Sequence, residues 1–99
     1  MNIMNSKAEI VNKLNELKPI LERDYAVKSI GLFGSFSDET FNADSDIDLL
    51  VELERPIGWK ILSLEIFLEE VFKRKIDLVT KSALKAPLNN YILNQVQYI

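Results

Sequence analysis

The sequence of 99 residues contains no cysteine and no histidine, and it has only three glycines and three prolines. Without cysteine there is no disulfide framework and no thiolate metal site, and without histidine the usual zinc ligand and general base are missing. Any catalysis must therefore use carboxylates and hydroxyls. A membrane span needs about 18 consecutive apolar residues, and no stretch of the sequence approaches that length. The N-terminus lacks a secretory leader pattern. We therefore expect a cytoplasmic protein without a membrane anchor.

The charged residues show no excess of basic side chains. Fifteen acidic and twelve basic residues give a net charge of -3, and the basic ones are scattered along the chain. Nonspecific nucleic-acid binding is therefore not expected. With 47% hydrophobic and 27% charged residues, the composition is that of an ordinary globular protein. A chain of 99 residues is long enough for one hydrophobic core but not for two. No repeat or linker is visible, so we predict a single domain over residues 1–99.

The apolar pattern predicts alternating helices and strands. Ser6 and Glu9 form a capping box before a helical repeat of leucine and isoleucine, which predicts a helix at about 6–23 that Pro19 should kink or restart near its end. We predict three strands, namely Val27–Phe33, Asp46–Leu53 and Lys75–Thr80. A middle helix is indicated by apolar residues at helical spacing, which would face inward: Ile61, Leu64, Leu68, Val71 and Phe72. A last helix is indicated by Pro87, which suits a first turn, and by the inward positions Leu88, Ile92 and Val96. The fold class is therefore α/β or α+β, with a small mixed sheet flanked by helices.

Carboxylates follow a glycine-serine turn at fixed spacing. Side chains alternate along a strand, so Asp46 and Asp48 should project from the same face with their Cα atoms about 7 Å apart. Asp77 would face this pair if the third strand lies next to the second. Magnesium prefers oxygen ligands and is commonly completed by substrate phosphates. The three carboxylates therefore predict a site for a pair of magnesium ions at which a nucleotide reacts with a hydroxyl.

The turn itself is suited to phosphate. Gly34 lets the backbone approach a ligand without a Cβ atom in the way, and Ser35 offers a hydroxyl and an amide. These donors are expected to hold the terminal phosphates of a nucleotide, with Ser35 positioning rather than attacking.

The same residues allow two other interpretations. Taken singly, a glycine-serine turn or an aspartate at a strand end is common and needs no function. The alternating acids Asp44, Asp46 and Asp48 also match the start of a calcium-binding loop. Its sixth position, which needs glycine, is Leu49, and its twelfth, which needs glutamate, is Arg55. The calcium loop is therefore excluded.

The combined spacing resembles a known family. Leu32-Phe33-Gly34-Ser35, ten intervening residues and then Asp46-Ile47-Asp48-Leu49-Leu50-Val51 are similar to the signature of the minimal nucleotidyltransferases of the DNA polymerase β superfamily. Asp77, within Lys75-Ile76-Asp77-Leu78-Val79, matches the third carboxylate of that family. The resemblance covers about Val27 to Thr80.

The resemblance implies the minimal nucleotidyltransferase fold and magnesium-dependent transfer of a nucleotidyl group, usually AMP from ATP, to a hydroxyl. By carry-over, Asp46 and Asp48 bind the metals, Asp77 is the third ligand and the base, and Gly34 and Ser35 hold the triphosphate. Small members are typically antitoxins that modify a tyrosine of a partner toxin, an all-helical ribonuclease with a HEPN domain. A hetero-oligomer with such a toxin is compatible with the resemblance.

One departure leaves alternatives open. Many relatives carry an arginine and a glycine shortly after the serine, whereas here Ser37-Asp38-Glu39 follows, and no lysine or arginine occurs from Phe36 to Leu49. Phosphate charge must then be met by metal or by distant cations. A non-catalytic antitoxin that neutralises its partner by binding is therefore an alternative to the enzyme, and a stand-alone small-molecule nucleotidyltransferase is a third.

Overall fold

The structure, a computed structural model, describes residues 6–36, 42, 45–84 and 88–99. Within these residues two strands follow the first helix, helices and strands alternate from there on, and short 3-10 turns follow two of the strands. The elements are helix α1 (Lys7–Tyr25), strand β1 (Val27–Phe33), strand β2 (Ile47–Leu53), helix α2 (Lys60–Phe72), strand β3 (Ile76–Thr80), helix α3 (Leu88–Gln95) and strand β4 (Gln97–Tyr98). None of the described helices is both long and apolar enough to cross a membrane.

Helix α1 begins at the capping box that the sequence predicts. The Glu9 amide donates to Ser6 Oγ at 3.1 Å, and Ser6 Oγ donates to Glu9 Oε1 at 3.1 Å. A restart at Pro19 is not observed, because α1 continues through it to Tyr25. Proline removes a hydrogen bond to the carbonyl of Asn15, but Asn15 and Pro19 are both on the exposed face, where water can reach that carbonyl.

The strands form a mixed sheet in the order β3-β2-β1-β4. Strand β1 is antiparallel to both β2 and β4, whereas β2 and β3 are parallel and are joined through α2. The three predicted strands are confirmed to within one residue at each end, and so is the predicted class of a small mixed sheet flanked by helices.

Strand β4 was missed by the sequence analysis. It has only two residues, too few to show an alternating pattern, and it pairs with Gly31 and Leu32 of β1. A Cβ atom at Gly31 would collide with the Val96 side chain and lie 3.3 Å from Tyr98 Cδ1. Gly31 is therefore the position that allows the chain after α3 to close over β1.

The two faces of the sheet are buried differently. On one face, alternate residues of β2 pack with α1 and α2 into the main core, whose most enclosed members include Leu14, Leu21, Ile47, Leu49, Val51, Leu64, Leu68 and Phe72. On the other face, Phe33, Leu50 and Ile92 form a smaller cluster beneath α3. Ile92 is buried and confirms the predicted inward side of this helix, whereas the half-buried Val96 comes directly after its last residue, Gln95; Pro87 and the side chain of Leu88 lie outside what is described. The second face therefore has a covered centre and polar ends.

Candidate active site

The glycine turn lies directly against Asp48. Gly34 starts a 3-10 turn at the end of β1 and has φ +72°, a conformation that favours glycine. Its neighbour Phe33 is the register partner of Asp48, so the turn begins beside that residue. A Cβ atom at Gly34 would collide with Asp48 Oδ2 and lie 3.0 Å from its Cγ. The close approach of backbone and carboxylate therefore requires glycine, and the half-buried Ser35 follows in the same turn.

Asp48 and Asp77 are brought together by the parallel pairing of β2 and β3. They are register partners, so both side chains project from the second face of the sheet. The condition placed on Asp77 in the sequence analysis is thus met, because β3 lies next to β2 with the two aspartates opposite one another. Asp48 is half-buried, whereas Asp77 is exposed at the edge strand.

Asp46 stands just before β2 begins and is exposed. The segment leading to it is held by a cation that the sequence analysis did not single out. Arg74 Nη1 donates to the Ser45 carbonyl at 3.0 Å and to the Asn42 carbonyl at 3.3 Å. No local pattern could have revealed this contact, because Arg74 lies beyond α2 and meets Ser45 only when β2 and β3 pair. Arg74 is therefore a positioning residue for the approach to Asp46.

The surroundings of Asp48 disfavour the ionised form of its carboxyl group. Burial, the charge of Asp77, a hydrogen bond to Asp77 and the charge of Asp46 together raise the pKa of Asp48 to about 6, in that order of importance. Burial disfavours the ionised form, and two nearby carboxylates disfavour it further. Within the described part of the chain, none of the three aspartates pairs with a lysine or arginine. Among the described residues, negative charge is thus concentrated here without a paired lysine or arginine.

These features fit a hard divalent cation. Carboxylate oxygens are ligands that Mg²⁺ prefers, and the ion is commonly bound by one or two carboxylates together with water and substrate phosphates. In the described ranges no three acidic side chains converge on one point as a complete metal cage would require. The Asp48–Asp77 pair would supply two ligands to such an ion, and Asp46, which is exposed and close enough to influence Asp48, is the third candidate.

A surface pocket elsewhere on the sheet is not a second candidate for metal-dependent nucleotide transfer. It has a volume of about 440 Å³ and lies at the far end of β2, where it is lined by Glu52, Arg55, Thr80 and Lys81. Lys81 Nζ lies 3.9 Å from Glu52 Oε1, so the charges there are partly matched. The pocket contains none of the three aspartates. The negative charge that a bound metal ion would neutralise is at Asp48 and Asp77.

A mixed sheet that places a glycine turn and paired aspartates on one face defines a class of nucleotide-transferring enzyme. The family model described as a nucleotidyltransferase domain matches residues 14–99, so the chain belongs to the nucleotidyltransferase family and is an enzyme of that class. The resemblance found in the sequence is thereby confirmed.

Among its relatives are protein adenylyltransferases. The chain is 37% identical over 92 residues to the protein adenylyltransferase MntA of Thermococcus cleftensis, an alignment that covers 92% of this chain and 93% of MntA. It is 39% identical over 85 residues to a Methanocaldococcus jannaschii protein named provisionally as a protein adenylyltransferase, which covers 85% of this chain and 87% of the relative.

Solved structures share the fold. One described as a minimal nucleotidyltransferase has a TM-score of 0.79 at 22% identity and covers 97% of this chain and 98% of that one. A toxin-antitoxin structure with AMP-PNP has a TM-score of 0.69 at 23% identity, covering 95% and 72%. A tri-AMPylated Shewanella oneidensis HEPN toxin in complex with MNT antitoxin has a TM-score of 0.68 at 22% identity, covering 93% and 70%.

Proposed function

We propose that this chain transfers AMP from ATP, with Mg²⁺, to a hydroxyl of a partner HEPN-domain toxin, most simply a tyrosine, and so acts as an antitoxin in the cytoplasm. The observation that carries the proposal is the pairing of Asp48 with Asp77 beside Gly34, in a chain whose relatives are named protein adenylyltransferases. The toxin-antitoxin structures with AMP-PNP and with an AMPylated toxin support the choice of nucleotide and partner. Residues 1–99 would act as one catalytic domain.

In this proposal Gly34 and Ser35 hold the triphosphate of ATP. A backbone turn at a glycine can present amides to an anion, and Ser35 adds a hydroxyl donor, so both residues suit phosphate oxygens. No lysine or arginine occurs between Phe36 and Leu49 to share this task. Bound Mg²⁺ would neutralise the charge of the phosphates and of the departing pyrophosphate. Asp46, Asp48 and Asp77 are its proposed ligands.

Asp77 also has a role in moving a proton. The acceptor oxygen bonds to the α-phosphorus of ATP, the bond between that phosphorus and the β-bridging oxygen breaks, and pyrophosphate leaves. The hydroxyl proton has to be taken up by a base, and no histidine exists in the chain. Asp77 is exposed at the edge of the sheet, where an acceptor can reach it, and is proposed as that base.

The test is intact-mass analysis of the toxin encoded next to this protein. The toxin is incubated with this protein, ATP and Mg²⁺, and nucleotide-sized additions are expected that disappear when Asp46→Asn and Asp48→Asn are combined. Asp24→Asn, a substitution of an exposed aspartate paired with Arg23, serves as the control and should leave transfer intact. Absence of any addition, with toxin and protein both folded, would refute the proposal.

A second function is favoured by two observations. In the described ranges the acidic side chains do not form a complete metal cage, and the sequence has no lysine or arginine from Phe36 to Leu49. An antitoxin that neutralises its partner by binding alone would need neither. In that case the double variant Asp46→Asn with Asp48→Asn should still protect cells from the toxin, whereas loss of protection with intact binding supports catalysis. A stand-alone small-molecule nucleotidyltransferase would have no toxin gene beside its own.

A further inference from the structure

The outer edge of β3 has backbone groups that point away from the sheet. Strand β3 is an edge strand of the described sheet. Ile47 pairs with Ile76, and its amide donates to the Lys75 carbonyl at 3.0 Å. In a parallel ladder this geometry turns the groups of Lys75, Asp77 and Val79 toward β2 and those of alternate residues outward. The amides and carbonyls of Ile76 and Leu78 therefore face away from β2.

The outward amide of Ile76 has a hydrogen-bond partner, whereas in the described part of the chain the outward groups of Leu78 have none. The Ile76 amide donates to Glu69 Oε2 at 3.2 Å, which confirms its direction. No residue in the described part of the chain bonds to the outward amide or carbonyl of Leu78. The pairing of β2 with β3 runs from Ile76 to Thr80 without a bulge, and this strand contains no proline. Such an edge can accept another extended chain.

This edge adjoins the candidate active site. Because the backbone groups of Asp77 face β2, a residue opposite Asp77 in an added antiparallel strand would form the closer, non-hydrogen-bonded type of pair, with Cα atoms about 4.5 Å apart. Side chains of paired residues project from the same face. A hydroxyl side chain at that position would therefore emerge beside Asp77 and Asp48, on the face where the reaction is proposed.

Positive charge precedes the edge strand. Lys73 and Lys75 are exposed, and with Glu69 and Arg74 they line an open depression next to the start of β3. Three consecutive basic residues stand out in a chain whose net charge is -3. In the antiparallel arrangement, the residues that follow the hydroxyl residue of the added strand would run toward Lys75 and Lys73. Acidic side chains there would be complementary to this surface.

We infer that the edge of β3 binds the acceptor segment of the partner protein as an added antiparallel strand, with a hydroxyl residue opposite Asp77 and acidic residues after it. The inference rests on the proposed function and adds how the acceptor is recognised. Main-chain hydrogen bonds to Leu78 supply binding that does not depend on the acceptor's sequence, while Asp77 and the two lysines select the residues in register with them.

The test uses a synthetic peptide of about ten residues with a central tyrosine, β-branched neighbours and two aspartates near its C-terminus. Backbone N-methylation at the residues directly before and after tyrosine would remove amides that face β3, whereas methylation two residues away changes amides that face solvent. With ATP and Mg²⁺, the first peptide should show a KM for transfer raised about tenfold or more and the second should match the parent. Lys73→Glu combined with Lys75→Glu should also raise KM, and the exposed Lys28→Glu should not.

Failure of the inference and failure of the proposed function give different results. If the toxin is modified but both methylated peptides behave alike, strand addition at this edge is refuted while transfer to protein stands. If even the toxin is not modified, the same peptides are examined by NMR without nucleotide turnover. A shift and slowed hydrogen exchange of the Leu78 amide with the parent peptide, absent with the peptide methylated next to tyrosine, would support the edge as a binding site. No change at Leu78 would overturn it.

Discussion

Asp48 and Asp77 face each other across the parallel strands β2 and β3, and the charge of Asp77 is one cause of the raised pKa of Asp48. The pairing is unfavourable when both groups are ionised, since burial and the neighbouring charge both work against ionising Asp48. The strands are held in register by the apolar residues that alternate with the aspartates, Ile47 and Leu49 on one strand and Ile76 and Leu78 on the other. The core thus keeps two repelling groups together.

The first prediction concerns Asp48→Asn in the metal-free protein. The fold raises the pKa of Asp48 from 3.8 to about 6, so the folded state binds this proton more tightly than the unfolded state. The stability that goes with the bound proton is fully present below about pH 3.8 and is lost as the pH rises through about 6. Above that pH, Asp48→Asn should stabilise the protein by on the order of 1 kcal/mol, a value reduced for partial solvent screening.

Chemical denaturation with a chelator present, at pH 4 and at pH 8, measures this effect. The gain from Asp48→Asn should be found at the higher pH and vanish at the lower. Asp24→Asn is the control, because the hydrogen bond from Arg23 lowers the pKa of Asp24 instead of raising it. A destabilised Asp48→Asn protein at pH 8 would contradict the repulsion inferred at the site.

The second prediction is that Mg²⁺ stabilises the wild-type protein. A ligand present at about 100 times its Kd that binds only the folded state adds about 2.7 kcal/mol. This corresponds to a rise in Tm of several degrees for a domain of this size. Asp48→Asn should lose most of the rise, and Asp24→Asn should keep it. An equal rise in all three proteins would indicate a general salt effect and count against Asp48 as a ligand.

The sequence predicts most of the fold and the members of the site because the signals for both are local. Helix α1 is marked by its capping box, β2 by its apolar run, and the turn and aspartates by their spacing. The register that sets Asp77 opposite Asp48 is different, because it depends on how α2 returns the chain to the sheet. Strand β4 and the contact of Arg74 with Ser45 likewise exist only once distant segments meet.

At Pro19 the structure differs from the restart that the local sequence predicts. Proline in a helix interior removes a hydrogen bond and crowds the preceding turn, and a kink or a restart near the end of the helix was therefore expected. The buried positions Leu17 and Leu21 on either side keep the segment on the core, and Pro19 itself is exposed. Packing of the apolar face therefore outweighs the local preference.

The third prediction compares two leucines of α2. Leu64 is 0% exposed within the main core, whereas Leu62, two residues earlier, is 50% exposed. Leu64→Ala should destabilise the protein by about 2–5 kcal/mol, since it removes buried contacts and leaves a cavity. Leu62→Ala should cost less than about 1 kcal/mol. Urea denaturation with a common m value measures both, and similar losses at the two positions would show that this helix presents a different face to the sheet.

The last prediction separates backbone conformation from contact at Gly34. Gly34 and Gly58 both have positive φ, +72° and +56°, so an alanine at either carries the cost of a left-handed residue, about 1–2 kcal/mol. Only at Gly34 would the new Cβ meet the Asp48 carboxylate, since nothing lies within 4 Å at Gly58. Gly34→Ala should therefore be clearly more destabilising than Gly58→Ala in urea denaturation. In an Asp48→Ala background, which removes the colliding carboxylate, the two alanine substitutions should become similar in cost. If Gly34→Ala keeps its full excess there, the turn is constrained by something other than Asp48.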